Sequence, residues 1–123
     1  MTDKKILIEE LKKLPNNILV KEKEVIDANK EYQDNKEAIK NYETAISNKV
    51  LEDSQKEEFK QKLSNTEKRK FEVNKRLNSS DDYKTYCNVL EDNYNRVQSL
   101  QLELDFLKRC FSSKNNILRA ISD

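Results

Sequence analysis

The chain has no glycine, no histidine and no tryptophan, a single proline and two cysteines among its 123 residues. Each absence removes a class of structure or chemistry. Hairpins and irregular folds use glycine where the backbone needs positive φ, whereas helices need none. Without histidine, and with only Cys87 and Cys110 as thiols, no zinc-ligand set can be assembled. Those two cysteines fall on one expected helix about 35 Å apart, too far to bond each other within a chain. They read as reduced thiols, with Cys110 the candidate for a disulfide between chains. General acid–base and nucleophilic catalysis lack their usual parts, and no glycine-rich phosphate loop is present. The sequence therefore implies no enzyme, no cofactor and no metal.

Charge of one sign is also lacking. Lys and Arg number 24 against 23 Asp and Glu, a net charge of +1, so nothing draws the whole chain to nucleic acid or to a membrane. No apolar run approaches a membrane span, and the first residues carry no signal-peptide core, which points to the cytoplasm. Charged residues make up 38% of the chain and the hydrophobic set 35%. That leaves little for a globular core, and the apolar residues present must be arranged economically.

They are arranged in heptads. Tyr83, Leu90, Val97, Leu104, Phe111 and Leu118 recur every seven residues, with Tyr86, Leu100, Leu107 and Ile121 three further on. This is the a/d pattern of helices packed along a seam. Ile18, Val25, Tyr32, Ile39 and Ile46 form a second series, whose d positions (Lys21, Ala28, Asn35, Tyr42, Lys49) are small or polar. The expected fold is all-α, an elongated antiparallel helical bundle or coiled-coil hairpin, in one domain spanning 1–123. Its expected parts are a short helix over 3–14 capped by Thr2 or Asp3, a helix over 18–48, a helix over 55–78 and a long helix over 81–121. Pro15 and the asparagines after it should separate the first two, because the residue before proline disfavours the helical region, although Leu11 and Ile18, also seven apart, leave a kinked continuation open. A break near 49–54 should separate the second from the third, whose apolar line is Phe59, Leu63, Thr66, Val73 and Leu77, with Lys70 filling one seam position. Ser79 or Ser80 should cap the last helix.

Two surfaces stand out. Leu102, Phe106 and Cys110 form an apolar line off the main seam of the last helix. With Leu100, Leu107 and Phe111 they make a candidate oligomer interface, for a dimer or trimer. The densest basic cluster is Lys68-Arg69-Lys70 followed by Lys75-Arg76. It reads either as a solvated face paired with Glu67 and Glu72, or as a patch for phosphate or an acidic protein surface.

Asn65-Thr66-Glu67-Lys68-Arg69 reads as N-x-E-x-R. It is followed by Arg76-Leu77, a short acidic turn, Asp82-Tyr83, a leucine-rich helix and an apolar tail. Over 63–121 this resembles small coiled-coil proteins encoded by bacteriophages and prophages. The resemblance implies an accessory protein in the host-cell cytoplasm that binds and modulates a host or phage protein complex, inhibition of a host defence being one version. It singles out Asn65, Glu67 and Arg69, and with the basic cluster the candidate partner-binding set is Asn65, Glu67, Lys68, Arg69, Lys75 and Arg76. Two alternatives stand beside it: an assembly coiled coil acting by self-association, and a nucleic-acid-binding accessory of recombination.

Overall fold

The computed structural model describes residues 3–122. Over these residues the protein is all-helical, without a strand: α1 (Lys4–Asp53), a 3-10 turn (Glu57–Phe59), α2 (Thr66–Asn78) and α3 (Asp81–Ser122). Among the described residues no helix is long and apolar enough to cross a membrane. Asp3 caps α1, its carboxylate accepting from the Lys5 amide at 2.9 Å. Thr2, the other candidate cap, lies outside the described residues.

The first correction concerns Pro15. The expected break at 14–18 is absent, and α1 runs through the proline for 50 residues. Proline inside a helix forgoes one backbone hydrogen bond and crowds the preceding turn, at about 3 kcal/mol. Against this stand Leu7 and Leu14, 1% and 8% exposed. Each stabilises the fold by about 1.5–3 kcal/mol on burial. Both lie on the heptad register that continues into Val25 and Ala28, also buried. A turn at Pro15 would take both leucines off that seam, so the continuous helix wins.

The second correction concerns the end of α1 and the helix expected over 55–78. α1 continues past 48 to Asp53, which brings Val50 and Asp53 inside. Residues 54–65 then form turns, and α2 begins only at Thr66. Asn65 is extended (φ −138°, ψ 169°) and its side chain accepts from the Lys68 amide at 2.8 Å, an N-cap that starts a helix there. Leu63 is buried from the turn segment, not from a helix face, and Lys70 is exposed instead of lying on the seam. The last boundary matches expectation: the Ser80 hydroxyl accepts from the Tyr83 amide at 3.1 Å and caps α3, which passes unbroken through Ser112 and Ser113.

The helices pack in two compact units. One comprises Tyr32–Asp92. Its core holds Ile39, Val50, Leu63 and Leu77. Tyr42 of α1 stacks on Tyr83 of α3 at 6.0 Å between ring centres and meets Tyr86 edge-on at 5.6 Å. The Tyr42 hydroxyl bonds to Ser80 at 2.6 Å, tying the α3 cap to α1. Tyr83 donates to Glu43 at 3.3 Å, and burial first, then this carboxylate, pushes its hydroxyl up to about 12.

The other unit comprises Met1–Glu31 and Asn93–Asp123. Here α1 and α3 run antiparallel. Glu10 pairs with Lys114, Lys21 with Glu103 at 2.8 Å, and Glu31 with Arg96 at 3.5 Å, one number rising as the other falls. Val97 and Leu104 lie buried in this unit, along with Asn93, which is 9% exposed and occupies a d position. The Asn93 Nδ2 is buried without a hydrogen-bond partner.

Both irregularities predict stabilising substitutions. Pro15→Ala should raise unfolding free energy by about 1–3 kcal/mol, by restoring one helical hydrogen bond. Asn93→Leu should raise it by a similar amount, about 1–3 kcal/mol, by removing an unsatisfied buried donor. Urea denaturation checks both; an unchanged or lower midpoint would show that the seam tolerates neither change.

Candidate functional site

The partner-binding set expected from the sequence lies on and just before α2, in the unit Tyr32–Asp92. Most of it is engaged locally. Asn65 is the α2 cap. Lys68 donates from Nζ to the Gln61 carbonyl and to the Ser64 hydroxyl, each at 3.3 Å. Arg69 donates to the Leu63 carbonyl at 3.2 Å and to the Thr66 hydroxyl at 3.3 Å. These two cations close the irregular segment onto the first turns of α2, satisfying backbone carbonyls that no helix supplies with donors.

Arg76 is drawn inward. Its Nη2 lies 2.9 Å from Asp53 and its Nε 3.1 Å from Glu72. Asp53, 6% exposed, is also approached by Lys56 at 3.2 Å and Lys49 at 3.7 Å, and Glu72 by Lys62 at 3.8 Å. Lys56 foremost, and then Arg76, hold the Asp53 carboxyl below its ordinary range against the opposing effect of burial. Burial likewise opposes the charge on Arg76, but the hydrogen bonds to Glu72 and Asp53 prevail and raise its pKa. The network joins the end of α1, the turn segment and α2. Glu72 pairs with the basic cluster as the sequence suggests, whereas Glu67 does not; Asp53 is not singled out by the sequence reading, although it stands seven residues after Ile46 on the α1 heptad.

The remaining members, Glu67 and Lys75, are exposed and form no ion pair among the described residues. They flank a groove of about 500 Å³. Its apolar surface comes chiefly from Phe71, which is 73% exposed, with buried Leu63 beneath. Lys68 and Lys75 stand one turn to either side of Phe71 on α2, and Lys62 reaches the groove from the turn segment. An aromatic side chain is thus held in the open on a fixed helix, with ammonium groups around it. Amphipathic lysine stems add apolar contact while their heads stay in water.

The second sequence-predicted surface lies on α3, in the unit of Met1–Glu31 and Asn93–Asp123. The structure divides it. Leu100, Leu107 and Phe111 are half-buried at a and d positions facing the seam. Leu102 and Phe106 are 70% and 65% exposed, and Cys110 is a free, half-buried thiol beside them. A groove of about 440 Å³ runs along Lys21, Leu102, Glu103, Phe106 and Leu107. Lys21 is held charged by its hydrogen bonds to Glu103 and then Glu24, which raise its pKa. Among the described residues no group of histidine, cysteine and carboxylate side chains is placed to hold a metal.

The Asp53 network makes the unit acid-sensitive. A carboxyl whose folded pKa lies below its unfolded value stabilises the fold above the unfolded value, and that contribution disappears as pH falls through the folded value. Melting temperature should therefore drop as pH falls below about 4, the ordinary carboxylate range. Asp53→Asn should melt lower than wild type at pH 7 and show a smaller acid drop. Equal melting curves at both pH values would mean that Asp53 contributes nothing. No protein-family model, curated protein or solved structure matches the chain.

Proposed function

We propose that the chain is a non-enzymatic helical interaction protein, of coiled-coil type, that acts in the cytoplasm by binding an acidic protein segment at the Phe71 groove. Its likeness to phage accessory proteins favours a segment belonging to a host or phage complex that the binding modulates, a host-defence component among the candidates. The observation that carries the reading is Phe71 itself: 73% exposed, on a capped helix, with unpaired Lys75 beside it and Lys62 and Lys68, already bound to Glu72 and to the Gln61 carbonyl, at the rim. Aromatic side chains are enriched in the cores of protein interfaces, where a few residues carry most of the binding energy. The complementary ligand is an amphipathic segment that brings an aliphatic or aromatic side chain to Phe71 and a carboxylate to Lys75.

The nucleic-acid alternative is weaker on this geometry. Lys68, Arg69 and Arg76 are spent on carbonyls and carboxylates of the chain itself. Phosphate recognition needs cations free to neutralise a backbone.

A fluorescent amphipathic helical peptide of leucine and glutamate, with a leucine–lysine peptide as control, tests the reading. The acidic peptide should bind the full chain and the basic one should not. Phe71→Ser should weaken binding about tenfold, a typical loss for an interface anchor. Because Phe71 is exposed, the variant should keep wild-type helicity. Equal binding by Phe71→Ser and wild type, or no preference for the acidic peptide, would overturn the proposal. Salt-sensitive binding of an oligonucleotide in its place would favour the nucleic-acid reading.

A further inference from the structure

Most of the charged side chains that line the Phe71 groove are spent within the chain. Lys62 lies 3.8 Å from Glu72, which also holds Arg76, and Lys68 donates to the Gln61 carbonyl. Two are left. Glu67 and Lys75 are exposed and form no ion pair or side-chain hydrogen bond among the described residues. They carry opposite signs and stand one turn to either side of Phe71.

Glu67, Phe71 and Lys75 follow one another at four-residue steps, so they form one row along α2, with a rise of about 6 Å per step. Rows of this spacing are the ridges along which helices most often pack against each other. The two charges stand about 12 Å apart along the axis, past the screening length of about 8 Å at physiological salt. They therefore do not satisfy each other. The helix dipole favours an acid in the first turn of α2 and a base in its last turn, which accounts for the two signs but gives neither group a partner.

A uniformly acidic ligand gains at Lys75 and loses at Glu67, and a uniformly basic one does the reverse. A segment that carries both signs, one on each side of its apolar residue, meets every unspent group in the row. A helix presents such a row when its carboxylate, apolar side chain and cation are spaced by four. Its own two charges are then eight residues apart, too far to pair with each other before it binds.

We infer that the partner at the Phe71 groove is a helical segment with a carboxylate, an apolar side chain and a cation at four-residue steps, the carboxylate against Lys75 and the cation against Glu67. This rests on the Phe71 reading and narrows it. The chain selects its partner by where the charges stand, and Glu67 is the residue that rejects a uniformly acidic segment.

Three alanine-based helical peptides with blocked ends, titrated into the full chain and followed by NMR, test it. Each carries a leucine flanked four residues away on both sides: by one glutamate and one lysine, by two glutamates, or by two lysines. The mixed peptide should bind about fivefold tighter than the two-glutamate peptide, the scale of exchanging one exposed repulsion for one exposed ion pair. Glu67→Gln should erase that advantage, and Glu67→Lys should reverse it. Lys75→Gln should erase the advantage of the mixed peptide over the two-lysine one. Circular dichroism should show wild-type helicity for the two glutamine variants, which suffice for the test if Glu67→Lys loses helix.

Equal affinity of the wild type for the mixed and two-glutamate peptides, with Phe71→Ser still weakening both, would overturn this inference and leave the groove standing. Binding that Phe71→Ser leaves unchanged would overturn both. A wild type at twice the 14.6 kDa chain mass in light scattering, restored to the single-chain mass by Phe71→Ser, would put a second copy in the groove and overturn a separate partner.

Discussion

Asp53 ends a helix of 50 residues with its carboxylate inside the protein. A buried charge without partners is not tolerated, and the rest of its unit is arranged around supplying them. Lys56 comes from the turn that follows. Arg76 comes from α2 and must lie against the end of α1 to reach both Asp53 and Glu72. Once Arg76 is fixed, so is the face that α2 turns outward, and Phe71 stands on it. The exposed aromatic thus depends on a buried ion cluster behind it. Replacing the cluster with apolar groups could hold the same helices together, but a charged network accepts far fewer arrangements.

The long helices were legible because their apolar residues repeat every seven positions, and that repeat carries no information except which face is inside. Val97 and Leu104 are buried as the register requires, and Ser80 caps α3 where the serines preceding two aspartates suggested it. The same repeat misled elsewhere. Phe59, Leu63, Thr66, Val73 and Leu77 have helical spacing, yet the first two belong to turns, because Asn65 starts a new helix within the series. Pro15 misled in the opposite direction: a local preference to break was outweighed by two leucines whose burial only packing reveals.

The residues singled out for recognition show where reading a single sequence stops. Asn65, Lys68 and Arg69 are specific residue types for a local reason: a cap and two donors that close an irregular segment. A motif that builds a turn and a motif that binds a partner look alike in one dimension. Leu102 and Phe106 were legible as a second stripe, since nothing on the a/d seam accounts for them, and the structure leaves them uncovered within the chain. The value of Phe71 as an anchor lies in its exposure, which no spacing rule predicts.

The pairing of Lys21 with Glu103 joins residues 82 apart in sequence, while Tyr42–Ser80 and Tyr83–Glu43 join residues 38 and 40 apart. Closing the longer loop costs more chain entropy than closing the shorter ones. Contacts around the tyrosines therefore have the advantage in time as well as in entropy. During synthesis, residues up to about 92 are enough for that unit to begin folding, while the first thirty residues of α1 still lack the strip of α3 they pack against. For that interval their leucines face water or a chaperone. The ribosome, by its pace, sets how long the amino-terminal half of α1 waits.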